Sequence, residues 1–191
     1  AEGERDKATA MRALYQAAAR HEMGERIDAL PDVPREPSVE LVRDIVASRV
    51  LDPDARTSAR ARLESPLPDA TAPWMEAWIR AALGRSLVVE VDEESRLRGV
   101  AQLLRVHVLH REGSPNLADI CLAEAAATLY ELGQVDAANA LVQALTNNLA
   151  APGVRSQVLS WPGLTELLNG SIQDALAPAP RDDSTNDGGS P

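Results

Sequence analysis

Ala126-Ala127-Thr128-Leu129-Tyr130-Glu131-Leu132-Gly133-Gln134-Val135-Asp136-Ala137-Ala138 reads as the end of one helix, a tight turn and the start of a second. Gly133 lacks a Cβ, so it closes the first helix in the left-handed backbone conformation at little steric cost. Ala126 and Ala138 are small enough for the two helix axes to approach closely once the chain has reversed. The helical pattern extends back to about Asn116 and forward to about Leu149. The same Gly-x-x-x-x-Ala spacing recurs at Gly113 with Ala118 and at Gly170 with Ala175. Antiparallel helical hairpins are therefore the expected building unit of an all-α fold.

Upstream of this hairpin, Asp92 stands where it can cap a helix, with Glu93 and Glu94 in the first turn that the helix dipole favours for negative charge. The body from Leu97 to His110 carries Val100, Leu103, Leu104, Val106, Val108 and Leu109, apolar on nearly every side. That pattern predicts a helix buried at the centre of the fold. Ser86-Leu87-Val88-Val89-Glu90-Val91 is the one strand-like stretch and, short and without a partner, reads as an extended connector. Before it, Trp74, Met75, Trp78, Ile79, Ala82 and Leu83 form a strong helical face, and in a chain so short of aromatics the two tryptophans are expected to fill the core ahead of serving as an exposed partner anchor.

The proline-rich run from Ser65 to Pro73 reads as a linker. It separates an N-terminal helical segment, residues 1–64, from a hairpin domain, residues 74–177. In the N-terminal segment a helix from about Arg5 to Met23 is closed by Gly24, and Pro31, Pro34 and Pro37 interrupt the chain after it. Ser38 looks like an N-cap for a helix that reaches Leu51, on which Val39, Val42, Ile45, Val46 and Val50 recur at helical spacing. Asp52-Pro53 restarts the chain as a short, Arg-rich surface helix to about Leu63. Past Leu149 a shorter helical pair flanks Pro162 and Gly170, and residues 178–191 are too polar to offset the cost of ordering, which predicts a disordered tail.

Composition agrees with helices and narrows the function classes. The 191 residues are 45% hydrophobic but only 3% aromatic, with no Phe, so the core has to be built from Ala, Leu and Val. Such residues suit close helix packing better than a sheet sandwich, whose strands favour aromatic and β-branched side chains. A net charge of −10 repels phosphate backbones on average, so no nucleic-acid partner is expected. Lys7 is the sole lysine among 19 basic residues, a bias given no mechanistic weight. Cys121, alone between Ile120 and Leu122, allows no intrachain disulfide and no Cys-based zinc cage, and reads as a small buried hydrophobe. No apolar run reaches the roughly 18 to 20 residues of a membrane-spanning helix, which predicts a soluble chain. The sequence opens Ala1-Glu2-Gly3 rather than on Met, so a cytoplasmic and an exported location both stay open.

The stretch quoted first resembles the middle of a tetratricopeptide repeat. The resemblance covers roughly residues 116–177. It places Ala126 at the small position of the first helix, Leu129 at the usual aromatic, Gly133 at the turn and Ala138 at the small position of the second helix, with Val142 and Leu145 in the later apolar sites. Gly170-Ser171-Ile172-Gln173-Asp174-Ala175 echoes the turn in a partial second copy. The turn glycines are unequally spaced, whereas the family repeats every ~34 residues. The expected fold is accordingly an irregular stack of such hairpins or a helical bundle. The family implies a scaffold that binds a partner protein.

Candidate chemical sites are few. His107 and His110 share a helix face and, with Glu112 or with Cys121, have the residue types for zinc or nickel. Histidines bordering a buried helix are more often packed and hydrogen-bonded, and that is the reading adopted here. Glu90, Asp92, Glu93 and Glu94 lack the ordered spacing of a calcium loop and read as a capped, solvated turn. Ser156 and Ser160 sit in no Gly-x-Ser-x-Gly elbow, and no Gly-rich phosphate loop or dinucleotide fingerprint occurs. The sequence thus predicts no catalytic, cofactor or metal residues. It predicts a non-enzymatic protein–protein interaction module that takes a partner peptide or subunit in an apolar groove along the 92–149 hairpins. The partner-binding candidates are Trp74, Trp78, Leu129, Tyr130, Val142 and Trp161. The alternative is an accessory subunit of a larger assembly, in solution or at a membrane, which calls instead for one flat or convex apolar patch; behind both stands a metal-dependent or hydrolytic enzyme centred on His107 and His110.

Overall fold

The structure, a computed structural model, describes residues 2–50, 52–65 and 72–146. Seven helices carry these residues: α1 (Glu2–Glu22), α2 (Pro37–Val50), α3 (Pro53–Leu63), α4 (Pro73–Val88), α5 (Glu93–His110), α6 (Pro115–Glu131) and α7 (Val135–Thr146). No strand occurs among the described residues. The expected tail, the pair flanking Pro162 and Gly170, and Trp161 lie outside them.

Local punctuation sets most of the boundaries. Four helices open on proline, whose fixed φ and missing N–H suit the first helical position. The Asp52 carboxylate accepts from the N–H groups of Asp54 and Ala55 at 3.0 and 3.1 Å, starting α3. Asp92 accepts from the Ser95 N–H at 2.7 Å to start α5, and these bonds to Ser95 hold its carboxyl below the usual carboxylate range. Gly133 has φ of +75°, with its own N–H donated to the Tyr130 carbonyl and that of Gln134 to the Leu129 carbonyl, both at 2.9 Å. This pair of bonds is the Schellman closure, and the same pair recurs at Gly24 (φ +86°), to His21 and Arg20.

The helices pack as a stack of hairpins. α2 pairs with α3, α4 with α5 and α6 with α7; α3 then packs on α4 and α5 on α6, while α2 touches α4 and α4 touches α6. Each element meets only near neighbours in the chain, the connectivity of a helical repeat. α1 departs from the hairpin rule. Lys7 near its start pairs with Glu36 just ahead of α2 at 3.0 Å, and His21 near its end lines the same basin as Arg49 near the end of α2. The two helices therefore run the same way, and residues 23–36 carry the chain back along their length.

The interior is largely alanine and leucine. Ala77, Ala81, Ala118, Ala123, Ala125 and Ala138 are fully buried, as are Leu103 and Leu145. α4 and α5 cross at two glycines: a Cβ built on Gly84 would stand 2.6 Å from Leu103 Cγ, and one on Gly99 only 2.8 Å from the Val88 backbone nitrogen. Packing also crosses the proline-rich run, since Leu41 and Ile45 of α2 and Leu63 of α3 share one apolar cluster with Met75, Ile79 and Leu83 of α4.

Several sequence expectations are corrected here. Ser86, Leu87 and Val88 are not a connector; α4 continues through them because Ser86 and Leu87 are buried and Val88 packs on the core cluster. The α2 start moves back one residue, because the N–H groups of Val39 and Glu40 both donate to the Glu36 carbonyl, placing Pro37 rather than Ser38 at the first helical position. α5 is not buried on every side, since Val108 and Leu109 are exposed; the central helix is α6, which α4, α5 and α7 all cover. α3 is less of a surface element than expected: Ala59 and Leu63 are buried, Arg60 is largely covered and pairs with Glu90 at 2.8 Å, and Arg62 alone of its arginines stands well exposed. Trp74 and Trp78 are not core residues: they are 57% and 45% exposed, because smaller residues of α4 such as Ala77 and Ala81 take the inward face.

Candidate partner-binding groove

Helix periodicity places three apolar stripes around one void. On α2, Leu41, Val42, Ile45 and Val46 repeat at three- and four-residue spacing and make the floor. Met11, Tyr15 and Ala18, one helix turn apart, make the α1 wall. Trp74, Met75, Trp78 and Ala82 make the wall on α4. The enclosed groove measures about 490 Å³, within the range of ordinary ligand sites. α1 and α4 each pack on α2 while their backbones stay apart, which leaves the space above α2 between them. Tyr15, Trp74 and Trp78 stand exposed on its rim.

At the end where α1, α2 and α4 finish, the groove runs into a polar basin of about 600 Å³; Arg49 and Arg85 line both. His21 and Arg56 add further basic groups, and Glu124, Glu131 and the half-buried Tyr130 come from α6. The two carboxylates are engaged. Arg85 Nε donates to both Glu124 oxygens at 2.9 and 2.7 Å, and Arg96 on α5 holds Glu131. Arg56 Nε is buried without a hydrogen-bond acceptor.

The sequence candidates divide sharply. Trp74 and Trp78 line the groove and Tyr130 lines the basin. Leu129 and Val142 face inward into the core around α6, where a partner does not reach them. The apolar groove described above lies on α1, α2 and α4. Leu41, Val42, Ile45 and Met11 were not singled out as binding residues by sequence. Their signal was present in α2, whose apolar residues are too many for one stripe: Val39, Val46 and Val50 pack toward α1, leaving Leu41 and Ile45 for α4 and the groove.

His107 and His110 look toward different helices. His107 Nδ1 lies 3.9 Å from Asp119 on α6, and His110 Nε2 lies 3.8 Å from Glu76 on α4. Among the described residues no group of three His, Cys, Asp or Glu converges to hold a metal ion. Burial pushes the Cys121 thiol up to about 12, far from the thiolate needed for nucleophilic chemistry. We expect Cys121 to resist maleimide or Ellman's reagent for hours in the native protein and to react within minutes in guanidinium. Rapid native labelling would contradict its burial.

No helix among the described residues is long and apolar enough to cross a membrane. Comparison with family models, curated proteins and solved structures finds no match to this chain.

Proposed function

We propose that the chain is a non-enzymatic protein–protein interaction module, a short stack of tetratricopeptide-like hairpins that holds a partner peptide or subunit in the groove over α2. The observation that carries this reading is the apolar groove between α1 and α4, with Tyr15, Trp74 and Trp78 left exposed at its rim. Large exposed aromatics beside an apolar concavity are the side chains that most often dominate interface energy. The contact pattern supports the repeat reading, because first helices touch first helices and each second helix touches the next first helix. The accessory-subunit alternative fares less well. Exposed Val91 and the pair Val108 and Leu109 lie at opposite ends of α5 and do not merge into one flat patch.

The test is selection of helix-constrained peptides on the intact chain, followed by affinity measurement on Trp74→Ala/Trp78→Ala. Both side chains are exposed, so the double variant should keep its circular dichroism spectrum. Selected peptides should lose at least about tenfold in affinity on it, the smaller end of hot-spot truncation effects. Peptides that bind both proteins equally would refute the groove as the site.

A further inference from the structure

We infer that α1 is a movable wall of the groove: it undocks from α2 as a unit and docks again while α2 to α7 stay folded. This goes beyond the interaction reading and holds whether or not a partner occupies the groove. The cause begins in the sequence of α1. Its inward stripe is Ala10, Leu14 and Ala17, at i, i+4 and i+7, and Leu14 is the one large side chain fully buried among the described residues of that helix. Alanine removes little apolar area from water, so this stripe holds α1 less firmly than the faces of α5 and α6, which bury Val100, Leu103 and Val106, and Leu117, Leu122 and Leu129.

The packing is correspondingly separate. Ala10, Leu14 and Ala17 meet Ile27, Val39, Val46 and Val50 in a cluster to which no described residue of α3 to α7 belongs. Among the described helices, α1 packs its backbone against α2 alone. α7 also has a single neighbour, but a short turn through Gly133 joins it to α6, and its Ala138, Val142 and Leu145 enter the core shared by α4, α5 and α6. α1 instead reaches α2 through residues 23–36, enough chain for it to move without dragging α2. The Lys7–Glu36 pair that spans this junction has side chains 42% and 43% exposed, and exposed pairs of that kind contribute little. Arg60–Glu90 and Arg85–Glu124, which tie the later helices together, are largely covered. Local opening is drawn from elements with few buried apolar contacts, and α1 is such an element. The opposite wall, α4, is held by α2, α3, α5 and α6. The groove thus has one fixed side and one detachable side. Opening withdraws Met11, Tyr15 and Ala18 from it and uncovers Val39 and Val50 on α2. An occupant that touches both walls then holds α1 down by mass action.

The experiment is native-state hydrogen exchange on the full chain, resolved by residue with NMR and repeated at increasing guanidinium below the unfolding transition. The amides around Leu14 and Ala17 should exchange together, at least about tenfold faster than those at the centre of α6, and with a shallower guanidinium dependence because their opening exposes less surface. Leu14→Ala should accelerate exchange across α1 at least about tenfold and leave α5 and α6 within about twofold of the parent. One rate and one guanidinium dependence shared by α1 and α6 in the parent would overturn the inference. So would an acceleration by Leu14→Ala that α5 and α6 share equally. Protection that falls away residue by residue from the first turn, rather than together along α1, would show fraying and overturn it as well.

Discussion

Leu103→Ala is expected to cost about 3 kcal/mol of unfolding free energy, and Gly84→Ala, harmful alone, should become neutral or helpful in its presence. Leu103 is fully buried between α4 and α6, and Gly84 is bare because Leu103 occupies the space a Cβ would need: the distances to Cγ and Cδ2 are 2.6 and 2.7 Å. In the parent chain an alanine at 84 has to displace that leucine, an overpacking cost of about 1–3 kcal/mol that exceeds the gain of up to about 1 kcal/mol from replacing a mid-helix glycine. With Leu103 cut back to alanine the obstructing atoms are gone, and the nearest remaining neighbour is the Gly99 carbonyl at 3.1 Å. The coupling between the two sites should therefore be at least about 1 kcal/mol, read from denaturant midpoints of the four proteins in one cycle. Additive effects would show that α4 and α5 slide apart to admit the new methyl, and that the crossing is not fixed by this contact.

Features readable from sequence were those whose causes are local. Gly133, Asp92 and Asp52-Pro53 act through bonds within a few residues, so residue type and spacing were enough to place the turns. The stretch from Ser86 to Val91 misled because three successive apolar residues fit a strand or a buried helix end equally well. What decides it is that Leu87 is buried and Val88 packs against Gly99 of α5, a fact carried by residues distant in the chain. Trp74 and Trp78 misled for a related reason. Composition favoured burying the few aromatics, but α4 meets α2 and α3 through Met75, Ile79 and Leu83 and turns Ala77 and Ala81 into the core it shares with α5 and α6, so the indoles are displaced to the rim. The groove itself was beyond local reading. It exists because α1 runs alongside α2 in the same direction, and that follows from how residues 23–36 return the chain, a segment whose prolines forbid a helix without dictating a path. The turn glycines thus located the hairpins, and the concavity arose where the hairpin pattern breaks.

Glu124→Ala is the second large effect, and it weighs the ion pair that joins α4 to α6. Arg85 and Glu124 join the first helices of two successive hairpins, with side chains only 17% and 16% exposed and Arg85 Nε shared between both carboxylate oxygens. Removing the carboxylate leaves Arg85 charged in a largely desolvated place, which should cost about 2–3 kcal/mol, somewhat under the range for a fully buried pair. Arg85→Met/Glu124→Leu should recover most of that loss, because two apolar side chains of similar volume carry no desolvation penalty. The doubly substituted protein is then about as stable as the parent and, having lost one cation and one carboxylate together, keeps the net charge of the basin. Guanidinium unfolding of the parent, the single variant and the double variant tests both the loss and its recovery. If Glu124→Ala proves as stable as the parent, the pair contributes nothing to joining α4 and α6, and the basin arginines are held in place by the helices alone.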